Sequence, residues 1–171
     1  MKKKVIYACY LAVLVLLLSF AQQAFGVSAA KLEEDARREQ QIPSHWQVAK
    51  DMNETMGALL FYDEETGDST YSIYLKRTGL SFGYFFRAGG VNSEIREGTP
   101  MFSYADQGSA VLSMNKEKVA TIELELKEGT KIVPIDPEKP FALALPKESA
   151  VLRLYDQTGT ELPLSVAYTT E

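Results

Sequence analysis

Residues 69–88, STYSIYLKRTGLSFGYFFRA, constrain the fold of this chain more than any other stretch. β-Branched and aromatic residues fill two runs, and Thr78-Gly79 supplies a turn between them, which is the pattern of a β-hairpin. A two-residue turn there sets Leu75 opposite Phe82, Ile73 opposite Tyr84 and Tyr71 opposite Phe86. Strand side chains alternate between faces, so these six share one side and begin an aromatic core. Ser72, Tyr74, Lys76, Gly83, Phe85 and Arg87 take the other side, where the Tyr74 ring can cover the bare backbone of Gly83. A slip of one residue would turn the apolar set outward, so the pattern specifies this register.

Further short apolar runs follow at the spacing of an all-β domain. They occupy residues 58–62, 101–105, 109–114, 119–127, 130–135, 141–145, 151–155 and 162–168. Ile122, Leu124 and Leu126 alternate with Glu123, Glu125 and Lys127, and Phe141, Leu143 and Leu145 alternate with Ala142 and Ala144. Leu162, Leu164, Val166 and Tyr168 share a face, and Pro163 assigns that run to a sheet edge because it cannot donate to a ladder. Asp63 to Asp68 and Asp156 to Gly159 read as Asp-initiated hairpin turns with glycine in the left-handed position. The glycines between residues 89 and 98 mark a connection between sheets that has room for one helical turn.

Ahead of the strands, MKKK precedes an apolar run over residues 5–21, the pattern of an export signal. Its 17 residues fall just under the roughly 18 of a spanning helix, so residues 1–27 read as a signal peptide or a signal-anchor helix. Ala24-Phe25-Gly26, Val27-Ser28-Ala29 and Ser28-Ala29-Ala30 are each acceptable to a signal peptidase. Either way the lysines stay in the cytoplasm and the remainder is exported, secreted or tethered by the uncleaved helix. Residues 28–43 read as a polar stalk or linker helix with only Leu32 and Ala36 on one side, ended by Pro43. Ser44 and Gln47 match a capping box, which opens a helix over residues 45–56 with Trp46, Ala49, Met52 and Met56 in a stripe. That helix is expected to cover the Tyr74 and Phe85 side of the hairpin. The sequence therefore describes a mainly β protein, a two-sheet antiparallel sandwich or partly open barrel over residues 44–171, with one or two short helices before the strands.

Chemistry is constrained mostly by what is scarce. The chain has one histidine, His45, and one cysteine, Cys9, which lies in the apolar run. One histidine and no cysteine in the folded part remove most zinc chemistry, a Ser-His-Asp arrangement would require His45 and has no nucleophile-elbow sequence to go with it, and no glycine-rich phosphate loop is present, so no metal and no cofactor are expected. The net charge is −5; without Lys2, Lys3 and Lys4, 15 basic residues face 23 acids, a balance of −8 that disfavours nucleic acid. The sequence points to a non-catalytic binding or structural domain at the cell envelope, its partner an envelope protein or glycan, with the membrane met only through the N-terminal segment. The candidate binding residues are Tyr74, Phe85, Arg87 and Trp46, since aromatic faces beside a cation suit sugars and peptides. A small extracytoplasmic hydrolase acting through paired carboxylates is the alternative.

Overall fold

Pairing of these β-rich runs produces three sheets in the computed structural model, which describes residues 24–77, 79, 81–147 and 151–170, together with 7, 10, 11 and 13–18; for 166–170 only the backbone is described. Lys2, Lys3, Lys4, Cys9 and Thr78 lie outside the described residues. The first sheet has the order β1 (Gln47–Met52), β2 (Met56–Tyr62), β3 (Ser69–Leu75), β4 (Phe85–Gly90), antiparallel throughout. The second runs β12 (Ser165–Thr170), β5 (Pro100–Tyr104), β6 (Gly108–Ser113), β9 (Phe141–Leu145), antiparallel except for the parallel β12–β5 pair. The third runs β11 (Glu161–Leu162), β10 (Val151–Tyr155), β7 (Thr121–Leu126), β8 (Gly129–Pro134). A 3₁₀ turn (Ala29–Lys31) leads into α1 (Leu32–Glu39), and α2 (Ser93–Glu97) links the first two sheets. The protein is mainly β, as its sequence predicts, with three sheets in place of two. Among the described residues, no helix is long and apolar enough to cross a membrane.

Three apolar clusters follow directly from strand alternation. Tyr71, Ile73 and Leu75 of β3 join Ala58 and Leu60 of β2 and meet Phe102, Ala110, Leu112, Ala142 and Ala144 of the second sheet. The opposite face of β2 and β3, with Leu59, Phe61 and Tyr74, lies under Leu32 and Ala36 of α1. Val111, Phe141 and Leu145 turn the other way, onto Ile122, Leu124 and Leu154 of the third sheet. The outward side of β7 carries Glu123 and Glu125, whose carboxylates lie 3.9 and 3.2 Å from Arg153 across the β10 pair.

Four expectations need correction. Residues 45–56 are not a helix: QVAKDM forms β1 and pairs along its length with β2. The i, i+3 and i, i+4 spacing of Trp46, Ala49, Met52 and Met56 is helical, but the apolar run MGALLFY exposes a full ladder of backbone groups that β1 satisfies. Asn53 makes the turn between them, its Oδ1 accepting from the N–H groups of Thr55 (2.9 Å) and Met56 (2.8 Å). Residues 28–43 do contain a helix, but α1 is docked on the sheet rather than standing off as a stalk. The β3–β4 hairpin also has another register: Leu75 faces Phe85, Tyr74 faces Phe86, and a bulge then sets Ile73 against Ala88. Phe82 and Tyr84 leave the pair because residues 24–27 occupy their backbone instead. Finally, the run at 162–168 is broken at Pro163, Leu162 ending in the third sheet and Ser165 beginning an edge strand of the second; the side chains of Val166 and Tyr168 lie outside the described residues.

The junction of the second and third sheets is held by a buried polar knot. Asn115 has a left-handed φ of 56°. Its Nδ2 donates to the carbonyls of Val119 (3.1 Å) and Asp136 (3.0 Å), and its Oδ1 accepts from Val119 N–H at 2.8 Å. Asn115→Ala removes three hydrogen bonds and places a strained alanine there. The expected loss is about 2–4 kcal/mol in urea unfolding with an unchanged m-value.

Candidate functional site

Where β3 ends, the chain turns away through Lys76 and Arg77 and returns as Phe85, Phe86 and Arg87 of β4. The turn between β5 and β6 stands beside it, closed by the Gln107 N–H donating to the Tyr104 carbonyl at 3.1 Å. Between them lies an open cleft of about 540 Å³, floored by Leu75 and Tyr104 and rimmed by Lys76, Arg77, Phe86 and Arg87. Its position is fixed by the neighbouring β1–β2 turn. Thr55 Oγ1 donates to the Gln107 carbonyl (2.6 Å), the Thr55 carbonyl accepts from Lys76 N–H (2.8 Å), and Tyr84 Oη donates to the Asn53 carbonyl (2.7 Å).

Cations and rings interleave here. The Arg77 guanidinium lies 4.0 Å over the Phe85 ring, and Lys76 Nζ lies 5.2 Å over the Tyr84 ring. Both are cation–π distances. Arg87 is exposed and has no ion pair among the described residues. Among the described residues Asp106 is the one acid on the cleft wall, and Lys147 neutralises it at 3.0 Å. Phe86 is 49% exposed and meets Tyr74 edge-on, with ring centroids 5.6 Å apart. A chain of net charge −5 thus gathers three cations and an exposed ring around one opening.

Of the four residues singled out by sequence, Phe85 and Arg87 line this cleft. Tyr74 is one layer behind it, wholly buried beneath α1, and its Oη donates to Asp35 Oδ2 at 2.8 Å. Trp46 is elsewhere, half-buried against the α1 cluster, its carbonyl accepting from Arg37 Nη2 at 3.0 Å. Lys76, Arg77, Phe86 and Tyr104 were not singled out. The local signal for most of them was the pair of cations before the turn and the two adjacent rings after it.

The carboxylates are arranged differently. Asp63 caps its own turn, accepting from Glu65 N–H at 2.8 Å, and that bond holds it below the usual carboxylate range. The amide of Glu138 does the same for Asp136, and the hydroxyl of Thr158 leads for Asp156. Glu33 is lowered chiefly by its bond from Lys50. These are structural acids, ionised and occupied. His45 sits 3.5 Å from Asp63 at the surface. No protein-family model matches the chain, and no curated protein and no solved structure matches it either.

Two phenols near the cleft are pushed upward. Burial, with the Asp35 bond second, raises Tyr74, and burial with Tyr71 nearby raises Tyr104 to about 12. A raised phenol favours the neutral form in the folded state. Its contribution is complete below the unfolded value of about 10 and is lost as pH rises toward the folded one. Urea melts should show stability falling above pH about 10, with a shallower fall in Tyr74→Phe.

Proposed function

We propose that this chain is an exported β-domain, held at the membrane by its N-terminal segment and packed as a sandwich of sheets, that binds an anionic ligand without catalysing a reaction. The observation that carries the reading is the gathering of Lys76, Arg77 and Arg87 with Phe85 and Phe86 around one open cleft of an otherwise acidic protein. Guanidinium groups bind carboxylates and phosphates through paired N–H donors, and a ring held under a guanidinium restrains its plane. Exposed Phe86 adds a flat apolar face. The best-fitting ligand therefore carries a carboxylate or phosphate beside an apolar or sugar-ring surface, as envelope peptides and glycans do.

Non-catalytic binding is supported by the carboxylates. General-acid work at neutral pH needs a carboxyl raised by burial or by a second acid. Glu33, Asp63, Asp136 and Asp156 are all shifted the other way.

Titration calorimetry of the full chain in detergent micelles, with a glutamate-rich peptide and a uronic-acid oligosaccharide as probes, tests the proposal. At least one probe should bind, more weakly as salt rises, and Arg77→Glu with Arg87→Glu should lower its affinity by about tenfold or more. Equal affinity in the wild type and the double variant would refute it.

A further inference from the structure

Residues 24–27 belong to the folded body. Ala24 is buried, and its carbonyl accepts from Phe82 N–H at 2.6 Å. Gly26 N–H donates to the Phe82 carbonyl (2.6 Å), and Val27 and Tyr84 exchange both of their backbone bonds at 2.8 Å. The fit is close enough to require glycine on both sides. A Cβ on Gly26 would collide with the Tyr84 carbonyl, and one on Gly83, whose φ is +88°, would lie 2.7 Å from the Val27 carbonyl. Val27 then packs against the α1 cluster. Cleavage after Gly26, Ala29 or Ala30 would remove most or all of this segment and strip the backbone partners from Phe82 and Tyr84.

The same pairing brings two rings together on the outside. Phe25 and Phe82 stack with centroids 5.5 Å apart, and they are 63% and 62% exposed. Upstream, residues 13–18 are helical, and all six apolar side chains are more than half exposed, so the domain does not cover them. The apolar run of the sequence ends at Ala21, three residues before Ala24, a span of at most about 10 Å. Whatever surface receives the apolar run must therefore lie beside the Phe25–Phe82 edge. Phenyl rings left exposed to water are stabilised by entering the boundary between head groups and acyl chains, where interfacial elements bury Trp, Phe and Leu side chains.

We infer that the N-terminal segment is retained in the mature protein and that the Phe25–Phe82 edge rests in the head-group layer of the bilayer, a second membrane contact beyond the anchor itself. This rests on the membrane-anchored part of the reading above and not on the ligand of the cleft. It fixes the orientation of the domain, because the Phe25–Phe82 edge can face only the surface from which the chain emerges.

The test uses the full chain purified from membranes and placed in phosphatidylcholine vesicles with brominated acyl chains. Intact mass should include residues 24–27, and the chain should float with the vesicles. With Trp46→Phe as background, Phe82→Trp should emit at shorter wavelength than a water-exposed tryptophan and be quenched by the brominated lipid, as should Phe25→Trp, which guards against a folding defect in either variant. Wild-type Trp46 should be quenched much less. Processing after Gly26, Ala29 or Ala30 overturns retention. A chain that floats but whose Phe25→Trp and Phe82→Trp variants are both unquenched overturns the membrane-contact edge alone, whereas a chain that does not float overturns the anchored reading too. Affinity of the cleft for its acidic probes is independent of all three results.

Discussion

Every side chain of β3 is withdrawn from water, on both faces of the strand. A strand in that position can satisfy its backbone only through neighbours on both edges, and here β2 and β4 supply them. Its two faces then require two different covers. Tyr71, Ile73 and Leu75 are covered by the second sheet, and Thr70, Ser72 and Tyr74 by α1 and the residue after it. Burial of a strand this size is worth several kcal/mol at about 25 cal/mol per Å² of apolar surface, and no disulfide or metal site is formed among the described residues to share the task.

The α1 side shows how polar residues are accommodated under a helix. Gln40, just past α1, donates from Nε2 to the Tyr71 carbonyl (3.1 Å) and Ser72 Oγ (2.6 Å), and its Oε1 accepts from Thr70 Oγ1 at 2.9 Å. Gly89, opposite Ser72, leaves room for that amide; a Cβ there would lie 2.6 Å from Gln40 Nε2. Together with the Tyr74–Asp35 bond, these contacts set where the helix lies on the sheet. Hydrogen bonds contribute modestly to net stability, but leaving Thr70, Ser72 and Tyr74 buried without them would cost far more. The second sheet has its own such device at an edge: Asp51 of β1 accepts from the Ala144 N–H of β9 at 3.0 Å, closing a strand edge that would otherwise be open.

Strand alternation made much of this legible. The faces of β3, β7 and β9 follow from period two, and both Asp-initiated turns follow from the ability of a carboxylate to bond its own backbone two residues on. What stayed hidden was non-local. Nothing between residues 69 and 88 indicates that residues 24–27 will compete for the backbone of Phe82 and Tyr84, and that competition moves the hairpin register. The stripe of Trp46, Ala49, Met52 and Met56 fits a helix equally well until the unpaired edge of β2 is taken into account. The cleft was half visible: Phe85 and Arg87 stand on it, but Tyr104 arrives from another sheet, and Tyr74 is taken by α1.

Since the whole arrangement depends on β3 being dry on both faces, native-state hydrogen exchange measured by NMR is the most direct test. The amides of β3 that bond to β2 and β4 should exchange only through global unfolding and form the slowest group in the protein, while those of the exposed edge strand β8 exchange by local opening. If β3 exchanged as fast as β8, the strand would not be the element on which the helix and the second sheet are assembled.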